Sequence, residues 1–156
     1  MTAKTKGLEA TVNKVLKKYR KDKGMLVSIL QDIQAEYNYL PREALKQVCE
    51  GLVVPLSQVY SVATFFKAFS LQPRGRHLIN VCMGTACHVR GGIRILEKLE
   101  RELEISSGAT TPDLKFTLET VNCVGACALG PIVKVDDDYH GEMTTDKVVS
   151  VLKNYS

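Results

Sequence analysis

Four cysteines in the second half of the chain constrain it more than any other feature, because they form two close pairs. Cys82 and Cys87 lie in VCMGTACHVRGG, and Cys123 and Cys127 lie in VNCVGACALGP. The spacing reads C-x4-C, a gap of 35 residues, then C-x3-C. A fold that brings such pairs together creates a four-thiolate site. Small residues surround both pairs: Gly84, Thr85 and Ala86, then Gly125, Ala126 and Ala128. This composition suits a bulky anion such as a [2Fe–2S] cluster. Two ferric ions, two sulfides and four thiolates sum to about −2, and reduction adds one more negative charge. Backbone N–H groups must approach the sulfurs closely to stabilise that charge, which glycine permits.

Three chemistries use thiols in such numbers. Structural zinc accepts four cysteines, and C-x4-C lies within its usual spacing. A thiol–disulfide enzyme favours C-x2-C, which neither pair has. Iron–sulfur ligation fits the glycine- and alanine-rich loops best. A Rieske-type site needs two histidine ligands on one iron. His77, His88 and His140 have no paired Cys-x-His spacing.

At 156 residues, with 45% hydrophobic and 24% charged side chains, the composition is that of an ordinary soluble protein. Apolar stretches fall far short of the roughly 20 residues a membrane span needs. Lys4, Lys6 and a polar run occupy the start, where a signal peptide would carry an apolar stretch. These features lead to the expectation of a cytoplasmic protein in a reducing compartment, where paired cysteines bind metal or do redox chemistry. The net charge of +4 is uneven. Residues 1–75 carry 12 basic against 6 acidic side chains, and residues 76–156 carry 9 against 11. The excess is concentrated in KVLKKYRKDK, residues 14–23. No aromatic interleaving or groove-reading motif accompanies it, so a solvated face or a docking surface is expected rather than a nucleic-acid site.

The first half reads as helices. Leu8, Val12, Val15, Leu16 and Tyr19 form one apolar stripe. A second helix is expected from about Met25 to Tyr37, with Leu26, Ile29, Leu30 and Ile33 on one face. A third carries Pro41 in its first turn and ends at Gly51, and a fourth follows Ser57 as N-cap. Cys49, beside Leu45, Val48 and Leu52, reads as a small buried hydrophobe and is left out of the site.

Pro73 and Gly75 suggest a boundary near residues 71–76. Beyond it, HLINVC reads as a strand ending at Cys82, followed by a loop to Gly92. A helix with Ile93, Leu96, Leu99 and Leu103 inward comes next. LKFTLETVNC reads as a strand ending at Cys123, PIVKVDDD and YHGEM as a hairpin, and TTDKVVSVLKNYS as a closing helix. The order β-α-β-β-β-α has a parallel crossover first and an antiparallel pair later. The expected fold class is α+β: an N-terminal helical bundle, residues 1–72, then a thioredoxin-like mixed-sheet domain, residues 73–156. Both cysteine pairs then lie just beyond strand ends, at one end of the sheet, where ligands of open α/β sheets collect. A helix starting near Gly91–Gly92 would point its N-terminal dipole toward them. His88 and Arg90 follow the second cysteine and are candidates to donate hydrogen bonds or positive charge to a cluster. A cis bond before Pro131 is open to the chain.

CMGTACHVRGG together with CVGACALGP resembles the thioredoxin-like [2Fe–2S] ferredoxin family. LQDIQAEYNYLPREAL and VPLSQVYSVATFFKAFSLQPRGRH resemble that family's helical region and linker, so the likeness covers nearly the whole chain. Family members include small subunits of respiratory complex I, of NAD(P)-reducing and electron-bifurcating hydrogenases, and of NAD-linked formate dehydrogenases. The resemblance implies that Cys82, Cys87, Cys123 and Cys127 ligate one [2Fe–2S] cluster. It also implies a flavoprotein partner that holds FMN and binds NAD(P)H, with further iron–sulfur subunits alongside. The chain itself has no G-x-G-x-x-G after an expected strand and no P-loop. It would be one subunit of an oxidoreductase with no complete active site of its own, its helical region serving to dock the flavoprotein. The competing reading is a zinc-stabilised interaction module without a redox role.

Overall fold

A computed structural model describes residues 3–155, with side chains from Gly7 onward; Lys4 and Lys6 therefore lie outside the described side chains. The chain divides between Pro73 and Arg74 into two units, each with a core of its own.

The first unit is built from four helices: α1 (Ala3–Lys18), α2 (Leu26–Tyr37), α3 (Arg42–Leu52) and α4 (Leu56–Phe65). A 3-10 turn, Lys23–Met25, leads into α2, with the Asp22 carboxylate accepting from the Gly24 N–H. The apolar stripes converge as their spacing requires. Val12, Val15 and Leu16 of α1 meet Ile29, Leu30 and Ile33 of α2, Leu45, Val48 and Leu52 of α3, and Val59 and Ala63 of α4. Leu8, Tyr19 and Cys49 pack at the edge of this core. The exit segment is held by Gln34 of α2. Its amide nitrogen donates to the Ala68 carbonyl, and its amide oxygen accepts from the Ser70 N–H at 2.7 Å.

Two expected helix boundaries differ. Gly51 does not end α3; it lies inside the helix, where α3 packs against α1. A Cβ there would stand 2.4 Å from Leu16 Cδ1, so the glycine serves close approach rather than termination. The left-handed cap falls to Val53, with φ 53° and its N–H on the Cys49 and Glu50 carbonyls. Ser57 is not an N-cap either. Pro55 takes that position, and Ser57 sits within α4, its carbonyl accepting from Ser61 Oγ.

The second unit is a four-stranded mixed sheet in the order β2-β1-β3-β4, with β1 (His77–Cys82), β2 (Phe116–Val121), β3 (Val133–Val135) and β4 (Asp138–His140). β1 and β2 run parallel; β3 is antiparallel to β1, and β4 to β3. The register aligns Leu118, Ile79 and Val135 across three strands. These residues and Val81, Phe116 and Val133 share one core with Ile95 and Leu99 of α6 (Gly92–Leu103) and Val148 and Val151 of α7 (Thr145–Asn154). This is the expected thioredoxin-like arrangement.

The loop expected between Cys82 and Gly92 contains a short helix, α5 (Thr85–Val89), which carries Cys87. The inward face of α6 is also shifted. Ile95 is 3% exposed and Ile93 40% exposed, with Leu96 and Leu103 at the core margin. Ile95 lies four residues before Leu99 and shares its face, whereas Ile93 is turned about 200° from Ile95. β2 ends at Val121, two residues short of Cys123, which belongs to the following loop.

Candidate metal centre

Because β1 and β2 are parallel and pair Cys82 with Val121, the segments leaving both strands emerge at the same sheet end. The first cysteine loop turns from Cys82 through Gly84 into α5, and the second runs from Cys123 through a 3-10 turn, Cys127–Leu129. The loops pack closely enough that side chains are excluded between them. A Cβ on Gly84 would lie 2.6 Å from the Asn122 carbonyl oxygen, and one on Gly130 would lie 3.1 Å from Cys87 Sγ. The Cys82 N–H donates to the Ile132 carbonyl at 3.0 Å, and the Met83 N–H to the Val121 carbonyl at 2.8 Å. The Gly130–Pro131 bond is cis.

All four candidate cysteines meet here, and all are free thiols. Cys82 and Cys87 are each 1% exposed, whereas Cys123 and Cys127 are exposed. The site therefore has a buried side and an open side. Cys123 and Cys127 Sγ stand 4.0 Å apart, and the Gly125 N–H points at Cys123 Sγ at 3.3 Å. Among the described residues, no three His, Cys, Asp or Glu side chains converge closely enough to hold a single metal ion. A hydrogen bond between Cys123 and Cys82 links the two pairs across the loops.

Electrostatics single out Cys82. Burial pushes its thiol up, but N–H groups of Gly84 and Val124 and the thiols of Cys87 and Cys123 donate to it and bring it below the ordinary value. Cys87 is pushed up by burial and by donating to Cys82. Cys127 is raised by its hydrogen bond to Cys123 and by that neighbour's negative charge. Hydrogen bonds thus link Cys82 to Cys87 and Cys123, and Cys127 to Cys123, and the backbone adds N–H donors at Cys82. Thiolates are the ligating form, so loading such a site releases protons. Cys49 lies in the other unit, raised by burial, and takes no part.

The start of α6 packs directly on the first cysteine loop. Gly91, with φ 97°, caps the helix, and a Cβ on Gly92 would meet the Cys87 carbonyl at 2.9 Å and that of Cys82 at 3.2 Å. His88 is exposed. Arg90 reaches backbone carbonyls of the second loop, with Nη1 donating to Cys127 O at 3.0 Å and Ala128 O at 3.1 Å. The N–H donor at Gly84 is of the kind that its glycine suggested; sequence reasoning missed the donors from Val124 and Ile132, which come from main-chain direction and leave no mark on residue type. It also missed an apolar cavity of about 450 Å³ beside the open pair, lined by Val124, Ala126, Leu129, Ile132 and Tyr139.

The family model for thioredoxin-like [2Fe–2S] ferredoxins matches residues 12–156. The chain belongs to the thioredoxin-like [2Fe–2S] ferredoxin family. The family's cofactor is a [2Fe–2S] cluster, and four thiols with converging N–H donors are a donor set that fits one. This ferredoxin-family chain is 41% identical to the NADP-reducing hydrogenase subunit HndA of Solidesulfovibrio fructosivorans, over 85% of its own length and 77% of the relative's. It is 36% identical to an E-type subunit of the NADH-quinone oxidoreductase of Rhizobium meliloti (strain 1021), over 88% and 82%. In fold it matches an NAD+-reducing [NiFe]-hydrogenase in the air-oxidized state, with TM-score 0.71 at 17% identity. That match covers 84% of this chain and 22% of the hydrogenase chain, about a fifth of its length. No described helix is long and apolar enough to cross a membrane.

Proposed function

We propose that the chain is a [2Fe–2S] electron-transfer subunit of an NAD(P)-linked oxidoreductase complex, with Cys82, Cys87, Cys123 and Cys127 as the ligands of its one cluster. The observation that carries this reading is the meeting of two cysteine pairs at one sheet end, one pair buried and the other open. When bound, the cluster stores or yields one electron at a time. The protein's own part is to hold four thiolates, to aim N–H groups of Gly84, Val124 and Gly125 at sulfur, and to keep water from the Cys82–Cys87 side. The exposed Cys123 and Cys127 would give a redox partner its approach to the bound group. The relatives' names, a hydrogenase subunit and a quinone oxidoreductase subunit, support assignment to a multisubunit oxidoreductase.

The partner is a flavoprotein that holds FMN and binds NAD(P)H, within an assembly carrying further iron–sulfur subunits. The helical unit docks it. Val53, Leu56, Phe65 and Phe66 are exposed apolar side chains of that unit, with Phe65 80% exposed. Phe65 and Phe66 stack edge-on with ring centroids 5.0 Å apart, and exposed apolar surface supports an interaction site there.

The test is anaerobic. Dithionite should bleach the visible spectrum of the isolated chain, and NADH or NADPH should bleach it only when the flavoprotein is added. Bleaching by nicotinamide alone, or none with the flavoprotein present, contradicts the proposal.

A further inference from the structure

Arg90 stands just past the end of α5, three residues after Cys87, yet its side chain works on the other cysteine loop. Nη1 donates to Cys127 O at 3.0 Å, Ala128 O at 3.1 Å and Gly130 O at 3.4 Å. These carbonyls surround the 3-10 turn Cys127–Leu129, where Cys127 O also accepts the Gly130 N–H at 3.2 Å, so the arginine is a second donor at the C-terminal end of the turn. An arginine reaching such carbonyls caps the C-terminal end of the turn. Here the cap comes from a distant part of the sequence, 37 to 40 residues away. Its own backbone N–H is tied to Ala86 O and His88 O, so the guanidinium is anchored to the helix that carries Cys87.

We infer that Arg90 is a positioning residue that braces the Cys127 turn against the Cys87 helix and so sets how tightly the two thiol pairs hold their shared group. The inference rests on the ligand set proposed above. One guanidinium bridges the two loops without touching a sulfur. It also places a fixed positive charge against the carbonyl of Cys127 itself, where an added electron is stabilised by it. His88, exposed and two residues earlier, has no such role. Two properties follow. Loss of the brace loosens the group, and loss of the charge disfavours the reduced state.

The experiment compares the wild-type holoprotein with R90Q, R90K and H88Q. Three readouts are taken: the rate at which cluster absorbance is lost in excess chelator, the reduction potential, and the EPR g-values of the reduced sample. R90Q is expected to lose its cluster about tenfold faster, the worth of one hydrogen bond to a charged group. Its potential should move negative and its g-values should shift. R90K keeps the charge without the fork, so its potential should stay with wild type while its loss rate falls between the two. H88Q should match wild type throughout. Loss of the cluster from R90Q within twofold of the wild-type rate, or equal effects from R90Q and H88Q, overturns the inference. Wild-type protein lacking acid-labile sulfide would instead refute the ligand set, which is read before any variant is compared.

Discussion

Cys82 is the sulfur most committed to the anionic form, and its donors explain why: two come from its own loop and helix, and two from the loop beyond β2. A single residue therefore senses whether the loops are in contact. Gly84 governs that contact. G84A would drive a Cβ to 2.6 Å from the Asn122 carbonyl oxygen, a backbone atom that cannot swing away. Overpacking of this kind costs about 1–3 kcal/mol. G84A is expected to lower both the unfolding free energy by that amount and the iron content per chain, read by denaturant titration and metal analysis. Among the cysteines, C123A and C127A should lose cluster absorbance while C49A keeps it; equal loss in all three would contradict the ligand assignment. Val53 presents a different residue-scale feature, a β-branched side chain in the left-handed region. The conformation costs an L-residue roughly 1–2 kcal/mol. V53G should therefore raise stability by about 0.5–1 kcal/mol after the entropy cost of glycine, measured by urea unfolding.

At the scale of elements, the sequence was legible wherever periodicity and burial agree. The stripes of α1 and α2 and the parallel crossover from β1 to β2 follow from apolar spacing, whereas the alternation expected in β2 does not hold: Phe116, Thr117 and Leu118 are all buried. It was less legible where one residue type serves two purposes. Gly51 carries the composition of a stop signal, yet its use is to let α3 approach Leu16 of α1, a contact 35 residues away in the sequence. Ser57 had the right chemistry for an N-cap, but Pro55 already fixes the backbone for entry into α4. The five-residue helix α5 is too short to show a periodic pattern, and it surfaces only because the Cys82 and Cys123 loops fold together. The four cysteines were readable because spacing and small neighbours are local; the cavity lined by Leu129 and Tyr139 was not, because a hairpin return creates it. The same hairpin gives an element-scale prediction. Tyr155, after α7, donates to Asp138 of β4 at 2.7 Å and lies 3.1 Å from His140 Nε2. Burial, with the Asp138 hydrogen bond and charge, raises its hydroxyl to about 12. The folded protein thus holds this proton more tightly than the unfolded one does. Its contribution to stability is intact below about pH 10, the ordinary tyrosine value, and is lost as pH rises toward 12. The absorbance titration of wild type minus Y155F should have its midpoint near the raised value; a midpoint at the ordinary one contradicts the packing of Tyr155 on β4.

On the scale of the whole molecule, two units with separate cores carry separate tasks in the proposed function: one presents exposed apolar side chains, the other holds four thiols. A charge placed on the first should then disturb assembly without disturbing the cluster. F65E is expected to lose co-purification with the flavoprotein while its visible spectrum matches wild type; retained co-purification would exclude Phe65 from the docking face. The four-thiolate cluster itself is open to a test by composition. Protein purified without oxygen is assayed for iron, acid-labile sulfide and zinc per chain, and its EPR spectrum is recorded after dithionite reduction. Two irons, two sulfides, no zinc and an S = 1/2 signal are expected. One zinc with no sulfide and no signal would contradict the four-thiolate cluster and leave the cysteines as a structural site.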